Sequence, residues 1–406
     1  MTIAMQPDSA NDRQTGSRLQ VLLIFLRLGL TSFGGPIAHL GYFRAEFVER
    51  RRWLSDRAFA DLVALCQFLP GPASSQVGFG IGVLRAGLLG GIAAWAAFTL
   101  PSAILMLLFA YGVGDTAQSA VGADILHGLK LVAVVIVAQA LLGMAQTLCP
   151  DRTRASLATF AIILMLAAPG ALGQIGAIML GGGIGLILCR NGPELAADSL
   201  TMPISRGVGA ACLGLFFALL ALSFSPARDG VLLLFSAFYR SGALVFGGGH
   251  VVLPLLRDAV VTPGWVSDNQ FLSGYGAAQA LPGPLFTFSA YLGAVADAPL
   301  GGLAGSVTAL FAISLPGLLA LVGAAPFWNR LRSEPTAQAI MRGINAAVVG
   351  LLGMAFYNPV WVSAVRSPAD FAVAVAGFVL LVAWRAPPLI VVVLGALSGI
   401  LLAHAK

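Results

Sequence analysis

Gln67-Phe68-Leu69-Pro70-Gly71-Pro72 and, 212 residues later, Gln279-Ala280-Leu281-Pro282-Gly283-Pro284 decide how this chain is read. Pro70 has no N–H and disfavours a helical residue before it, so a helix stops near Leu69. Gly71 permits a turn, and Pro72 suits the first position of a new helix. Outward from these stretches, Phe33-Gly34-Gly35 and Trp53-Leu54-Ser55-Asp56 precede the first. Phe246-Gly247-Gly248 and Trp265-Val266-Ser267-Asp268 precede the second in the same order and at nearly the same spacing. Two homologous apolar halves, each with an interrupted helix, form the sequence pattern of a secondary transporter.

Composition agrees. Of 406 residues, 58% are hydrophobic and 10% charged, with a mean hydropathy of +0.90, whereas soluble domains carry about 25% charged residues. Apolar runs such as Leu88–Gly112 and Leu131–Leu148 are long enough for a hydrocarbon core of about 30 Å. The fold class is therefore an all-α polytopic integral membrane protein with the lipid bilayer as its surroundings. The net charge of +6 comes without a basic stripe interleaved with aromatics, so nucleic acid is not a partner. Cys66, Cys149, Cys189 and Cys212 lack CxxC spacing and suggest neither disulfide nor metal. No H-E-x-x-H, Walker loop or supported G-x-S-x-G occurs, so neither an enzyme nor a cofactor is expected.

Hydropathy places about six segments in each half (19–38, 59–86, 88–112, 122–147, 154–168, 173–190; then 231–252, 270–297, 300–322, 337–358, 369–384, 387–404) with one linking helix at 206–224. The expected organisation is a disordered tail over 1–17, a first repeat over 18–190, a linker with one extra helix over 191–230 and a second repeat over 231–406. If every segment crosses, seven spans separate equivalent points and the halves are inverted. If only the Pro-Gly-Pro segments turn back, six do, and the halves are parallel. The second scheme gathers Arg50-Arg51-Arg52, Arg152, Arg154, Arg190 and Arg206 on one side but leaves Arg330 and Arg332 on the other. Both schemes stay open here.

The helix break is the first candidate binding site. Unpaired N–H groups at Ala73, Ser74 and Ser75, backed by the helix dipole, suit an anion. Ser74, Ser75, Gln76 and Thr287 add polar side chains, and Gln67 and Gln279 precede the two breaks at matching positions. The competing reading is a proline kink that only shapes packing. Arg27 and Arg240 each lie six residues before their Phe-Gly-Gly block, roughly 12 Å inside an apolar segment. An arginine at that depth faces a cavity or partner and would suit a tetrahedral oxyanion; the alternative is snorkelling. Gly34, Gly35, Gly247 and Gly248 permit close approach of substrate or of a neighbouring helix. His39 and His250 are candidates for proton coupling, against a structural role, and Arg44 and Arg257 for a cavity mouth, against interfacial anchoring. With no carboxylate placed mid-span, these basic groups favour an anionic substrate.

The stretches Phe33-Gly34-Gly35-Pro36-Ile37-Ala38-His39-Leu40-Gly41-Tyr42-Phe43-Arg44 and Phe68-Leu69-Pro70-Gly71-Pro72 resemble the chromate ion transporter family, as do Phe246-Gly247-Gly248-Gly249-His250-Val251-Val252-Leu253-Pro254 and Gln279–Pro284. Both halves are covered, which is the long-chain form. Ser74-Ser75-Gln76 stands where Ser-Thr-Gln is expected, with a hydroxyl retained. The resemblance implies export of chromate across a bacterial inner membrane, chromate resistance, a relation to sulfate transport and halves of opposite orientation. A sulfate or other oxyanion permease is the nearest alternative, an embedded enzyme or flippase a more distant one, and a homodimer is a candidate assembly.

Overall fold

The computed structural model describes residues 17–33, 35–116, 120–168, 170–190, 201–225, 230–246, 249–297 and 299–404. The tail expected over 1–17 therefore lies almost wholly outside the described residues, as do Gly34, Gly247 and Gly248. The described secondary structure is all helical.

The first repeat contains α1 (Arg18–Thr31), α2 (Gly35–Arg44), α3 (Asp56–Phe68), α4 (Ala73–Thr116), α5 (Ala120–Leu148), α6 (Arg152–Ala167) and α7 (Ala171–Leu188), and α8 (Arg206–Leu222) links it to the second. The second repeat contains α9 (Gly230–Ala243), α10 (Val252–Val260), α11 (Asp268–Ala278), α12 (Phe288–Val295), α13 (Gly302–Ala324) with the short α14 (Trp328–Arg332), α15 (Pro335–Ala355) with the short α16 (Val362–Ala364), α17 (Pro368–Val382) and α18 (Pro388–His404).

The Pro-Gly-Pro segments turn back. Leu62, nine residues before Gly71, packs on Gly80, nine residues after it, so α3 and the first limb of α4 run antiparallel. In the second repeat Gly274 faces the Tyr291 ring across Pro282-Gly283, which makes α11 and α12 the same hairpin. The expected first spans, 19–38 and 231–252, also turn back. Phe25 meets Phe43 with ring centroids 5.7 Å apart across residue 34, and Ser241 Oγ donates to the Leu255 carbonyl at 3.4 Å across residue 248. Reading these two segments as spans is thus corrected: each limb is only 9 to 14 residues long, too short to cross about 30 Å at 1.5 Å per residue. A further reversal lies inside α4. Ala86 and Gly87 leave helical geometry, and Gly82 packs on Gly90 and Ala94.

Each repeat therefore contributes two half-depth hairpins and four passes from one face of the molecule to the other: the second limb of α4 with α5, α6 and α7, matched by α13, α15, α17 and α18. With α8 between them, five such passes separate equivalent points, so the path of the chain gives the two halves opposite orientation. Contacts agree with this path. Asp61 in the first half of α3 meets Trp328 and Arg332 towards one face, where Arg342 also reaches the Cys189 carbonyl. On the opposite face His127 meets Asp370, and Gly170 lies against Asp258. Arg330 and Arg332 thus share a face with Arg50, Arg51 and Arg52, which removes the conflict that re-entry of one segment per half creates.

The halves interleave. α7 of the first repeat lays Gly181 and Gly185 against Gly343 of α15, and α18 of the second lays Gly395 against Gly128 of α5. Small residues let helix backbones touch where lipid supplies no hydrophobic drive for association. The helices long and apolar enough to cross a membrane lie within α4, α5, α13–α14 and α15–α16. Large apolar side chains face outward, among them Leu108, Leu166, Leu172 and Leu401, as a lipid-facing surface requires.

Candidate functional site

The repeated Trp-x-Ser-Asp block joins the two hairpins of each half. Ser55 and Ser267 are N-caps, accepting from the Ala58 and Gln270 N–H groups, which fixes where the second hairpin starts. The next residue takes an arginine from the first hairpin. Arg44 Nη2 reaches Asp56 at 2.6 Å, and Arg257 Nε reaches Asp268 at 3.0 Å. Hydrogen bonding to Asp56 holds the Arg44 guanidinium above its ordinary pKa. These two arginines tie hairpin to hairpin, at opposite faces of the molecule.

So fixed, the four tips meet in the interior, and each meets a tip of the other half. The Gly71 N–H donates to the Val245 carbonyl at 2.8 Å, and the Gly283 N–H donates to the Ser32 carbonyl at 2.9 Å. Ser32 and Val245 occupy one repeat position, and Gly71 and Gly283 another, so the two bonds are related by the inversion. Both glycines have positive φ, +119° and +99°. A Cβ on Gly71 would stand 2.7 Å from Gly317 Cα, and one on Gly283 would stand 2.6 Å from Ser102 Oγ. Ser102 and Gly317 each follow the proline of the crossing helix, Pro101 and Pro316.

Around the Ser32–Gly283 pair the chemistry is polar. His39 is fully buried; its Nε2 lies 3.2 Å from the Ser32 carbonyl and its Nδ1 3.4 Å from Ser74 Oγ. A carbonyl only accepts, so Nε2 carries the proton, and in the neutral ring Nδ1 accepts from the Ser74 hydroxyl. Ser32 Oγ, Thr99 Oγ1 and Gln279 Nε2 are buried without a hydrogen-bond partner among the described residues. At the other pair, Gln76 Nε2 donates to the carbonyls of Pro70 (2.9 Å) and Gly317 (2.8 Å), leaving its buried Oε1 unpaired. Unsatisfied buried polar atoms are costly and rare. Several gathered at two helix tips, with the free first-turn N–H groups of α4, make a place where a dehydrated polar solute can bind.

The candidate residues from the sequence divide accordingly. Pro70, Gly71, Pro72, Ser74, Ser75, Gln76, Pro282, Gly283, Pro284, Thr287 and His39 lie at or beside the tips; Ser75 and Thr287 are buried, the latter donating to the Pro284 carbonyl. Gln279 lies at the second break, while Gln67 points outward. Gly35 opens α2; Gly34, Gly247 and Gly248 fall outside the described residues. His250 is bound to the Tyr275 hydroxyl at 2.6 Å. Arg27 is exposed on α1, and Arg240 donates to the Ser223 carbonyl at 3.1 Å beneath the Phe224 ring, so neither is brought to a tip. Sequence reasoning missed Ser32, Thr99, Ser102, Val245 and Gly317. The near-coincident Pro101-Ser102 and Pro316-Gly317 steps were the available signal.

Among known proteins, the chromate transporter family profile matches residues 19–187 and again 232–400. A chromate transport protein of Pseudomonas aeruginosa is 31% identical over 96% of this chain and 94% of its own length. A probable chromate transport protein of Synechococcus elongatus is 27% identical over 94% and 95%. An uncharacterized transporter of Bacillus subtilis is 35% identical over 33% of this chain and 64% of its own length. No solved structure matches. Two family repeats on an all-helical membrane scaffold, with relatives aligned from end to end, place the molecule: the chain belongs to the chromate transporter family.

Proposed function

We propose that this chain is a secondary transporter that exports chromate from the cytoplasm, driven by membrane potential with or without proton antiport, and so confers chromate resistance. The observation that supports this reading is the pair of inversion-related tip bonds, Gly71 to Val245 and Gly283 to Ser32. Half-depth hairpins from inverted repeats that meet near the midplane are a recurrent design for alternating access. The orphaned Ser32, Thr99 and Gln279 atoms and the α4 first turn supply donors to an oxyanion in place of water. Arg27 and Arg240 act through their field rather than by contact. His39, between Ser32 and Ser74, is the group to which proton coupling is assigned in this reading.

The face carrying Arg50, Arg51, Arg52, Arg152, Arg154, Arg206, Arg330, Arg332 and Arg385 is assigned to the cytoplasm by the positive-inside rule, and the bacterial inner membrane is the membrane concerned. Leaving a cell negative inside releases about 2.3 kcal/mol per charge per 100 mV. A dianion therefore gains about 4.6 kcal/mol per 100 mV, enough for more than roughly a thousandfold gradient. Sulfate, a tetrahedral dianion of similar size, is the rival substrate. Everted vesicles with an imposed potential test the reading: saturable chromate uptake, weakly inhibited by sulfate, is the expected result. Sulfate uptake without chromate uptake would refute it.

A further inference from the structure

A cavity of about 700 Å³ opens on the face away from the arginine-rich one, and the geometry points to it as a second oxyanion site, a vestibule from which the tips are reached. The inference rests on the oxyanion-transport reading above. Lys130 is only 6% exposed and donates one of its three N–H bonds to Asn269 Oδ1 at 2.6 Å. Among the described residues its other two donors have no protein acceptor. Arg366 lines the same cavity, so two basic side chains share it and repel one another. An anion lodged between them relieves that repulsion and receives charge-assisted hydrogen bonds. Ser273 supplies an independent sign of a ligand: it is fully buried, lines the cavity, and its hydroxyl has no partner among the described residues.

The carboxylates on the wall have unequal roles. Asp370 is already engaged, accepting from His127 Nε2 at 2.8 Å and from the Arg366 N–H at 3.1 Å. Asp124 also lines the cavity and has no such partner among the described residues, so a carboxylate there opposes anion entry. At about 30 Å³ per molecule the cavity has room for roughly twenty waters, so the anion is held there still partly hydrated.

The vestibule also lies on the way to a tip. Ser273 is six residues along α11 from Gln279, Ala294 is seven along α12 from Thr287, and Ala110 is eight along α4 from Ser102. At 1.5 Å per residue all three helices put the cavity roughly 9–12 Å from the Gly283 tip.

Equilibrium dialysis of chromate against the purified full chain in lipid nanodiscs tests this, with Lys130→Gln, Lys130→Arg, Arg366→Gln, Ser273→Ala, Asp124→Asn and the tip variant Ser74→Ala. Wild type is expected to show two classes of site. Lys130→Gln and Arg366→Gln weaken one class about tenfold to a hundredfold, Lys130→Arg retains it, and Ser74→Ala weakens the other. Asp124→Asn, which removes no cation, tightens the vestibule class and guards against misfolding as the cause of loss. Wild-type stoichiometry and affinity in Lys130→Gln and Arg366→Gln, with Ser74→Ala still impaired, would overturn the vestibule and leave transport through the tips standing. Absence of chromate and sulfate binding in wild type would overturn both.

Discussion

Placing alanine at Gly71 or Gly283 puts the tip contacts to a quantitative test. At φ of +119° and +99° a Cβ is strained by about 1–3 kcal/mol. The added carbon at 71 also lies 2.7 Å from Gly317 Cα, against an optimal separation of about 3.5–4.0 Å, so the tip must retreat by about 1 Å. That retreat stretches the 2.8 Å bond to Val245 beyond hydrogen-bonding range and forfeits about 1 kcal/mol more. A total of about 2–4 kcal/mol against the tip-engaged state corresponds to a rate lower by roughly thirtyfold to several hundredfold. Initial rates of chromate uptake in everted vesicles, with thermal melting of the purified protein, measure both consequences. Two controls separate strain from collision. Gly87 has positive φ and open space for 4 Å around the position a Cβ would take, so Gly87→Ala reports strain alone. Gly317→Ala, whose Cβ meets Pro72 Cδ at 3.0 Å, reports crowding alone. Wild-type uptake in both Gly71→Ala and Gly283→Ala would show that transport does not need these tips to meet.

Other consequences are testable in the same preparations. Asp61, buried with Trp328 Nε1 at 2.9 Å and Arg332 at 3.0 Å, joins α3 to α14 across the halves; Asp61→Ala should cost about 3 kcal/mol, read as a lowered melting temperature. With the four native cysteines replaced, cysteines at Arg152 and Ser333 should react with an impermeant maleimide from one side of the membrane, and cysteines at Thr262 and Asp297 from the other. Labelling of 152 and 333 from opposite sides would exclude inverted halves. Arg27→Gln and Arg240→Gln should lower uptake less than His39→Ala, and the order of those rates decides whether the arginines act by field or by contact.

Much of this was legible in the chain because duplication writes each local device twice. The Trp-x-Ser-Asp block reads as a capped helix start, and Pro-Gly-Pro as a break, from backbone chemistry alone. The first hairpin was not legible. Residues 19–38 make one apolar run of spanning length, and hydropathy does not distinguish one crossing from two half-depth limbs. The reversal at Ala86-Gly87 is hidden for the same reason, inside a run that stays apolar on both sides of it. Counting these turns correctly yields inverted halves and puts Arg330 on the arginine-rich face. Long-range partners were equally invisible: Trp328 reaches Asp61 across 267 positions, and Lys130 looks like an isolated charge until Asn269, Ser273 and Arg366 are folded around it.

The two tip pairs share a scaffold but not a chemistry. Their backbone bonds are nearly equal at 2.8 and 2.9 Å, so the frame alone does not distinguish them. The side chains differ: Ser74-Ser75-Gln76 in the first repeat stands opposite Phe286-Thr287-Phe288 in the second. Phe288 packs with Phe271, Tyr275 and Tyr291 at centroid distances of 5.2, 5.7 and 6.1 Å, which makes the body of the α11–α12 hairpin a rigid aromatic wedge and leaves Gln279 as the orphaned donor at its tip. Binding and stability should then separate. Ser74→Ala should raise the KM for chromate with little change in melting temperature. Phe288→Leu should lower stability by about 1–2 kcal/mol and leave KM unchanged. If Phe288→Leu instead raises KM as much as Ser74→Ala does, the aromatic wedge of the second repeat takes part in binding the anion, and the division of labour between the repeats is wrong.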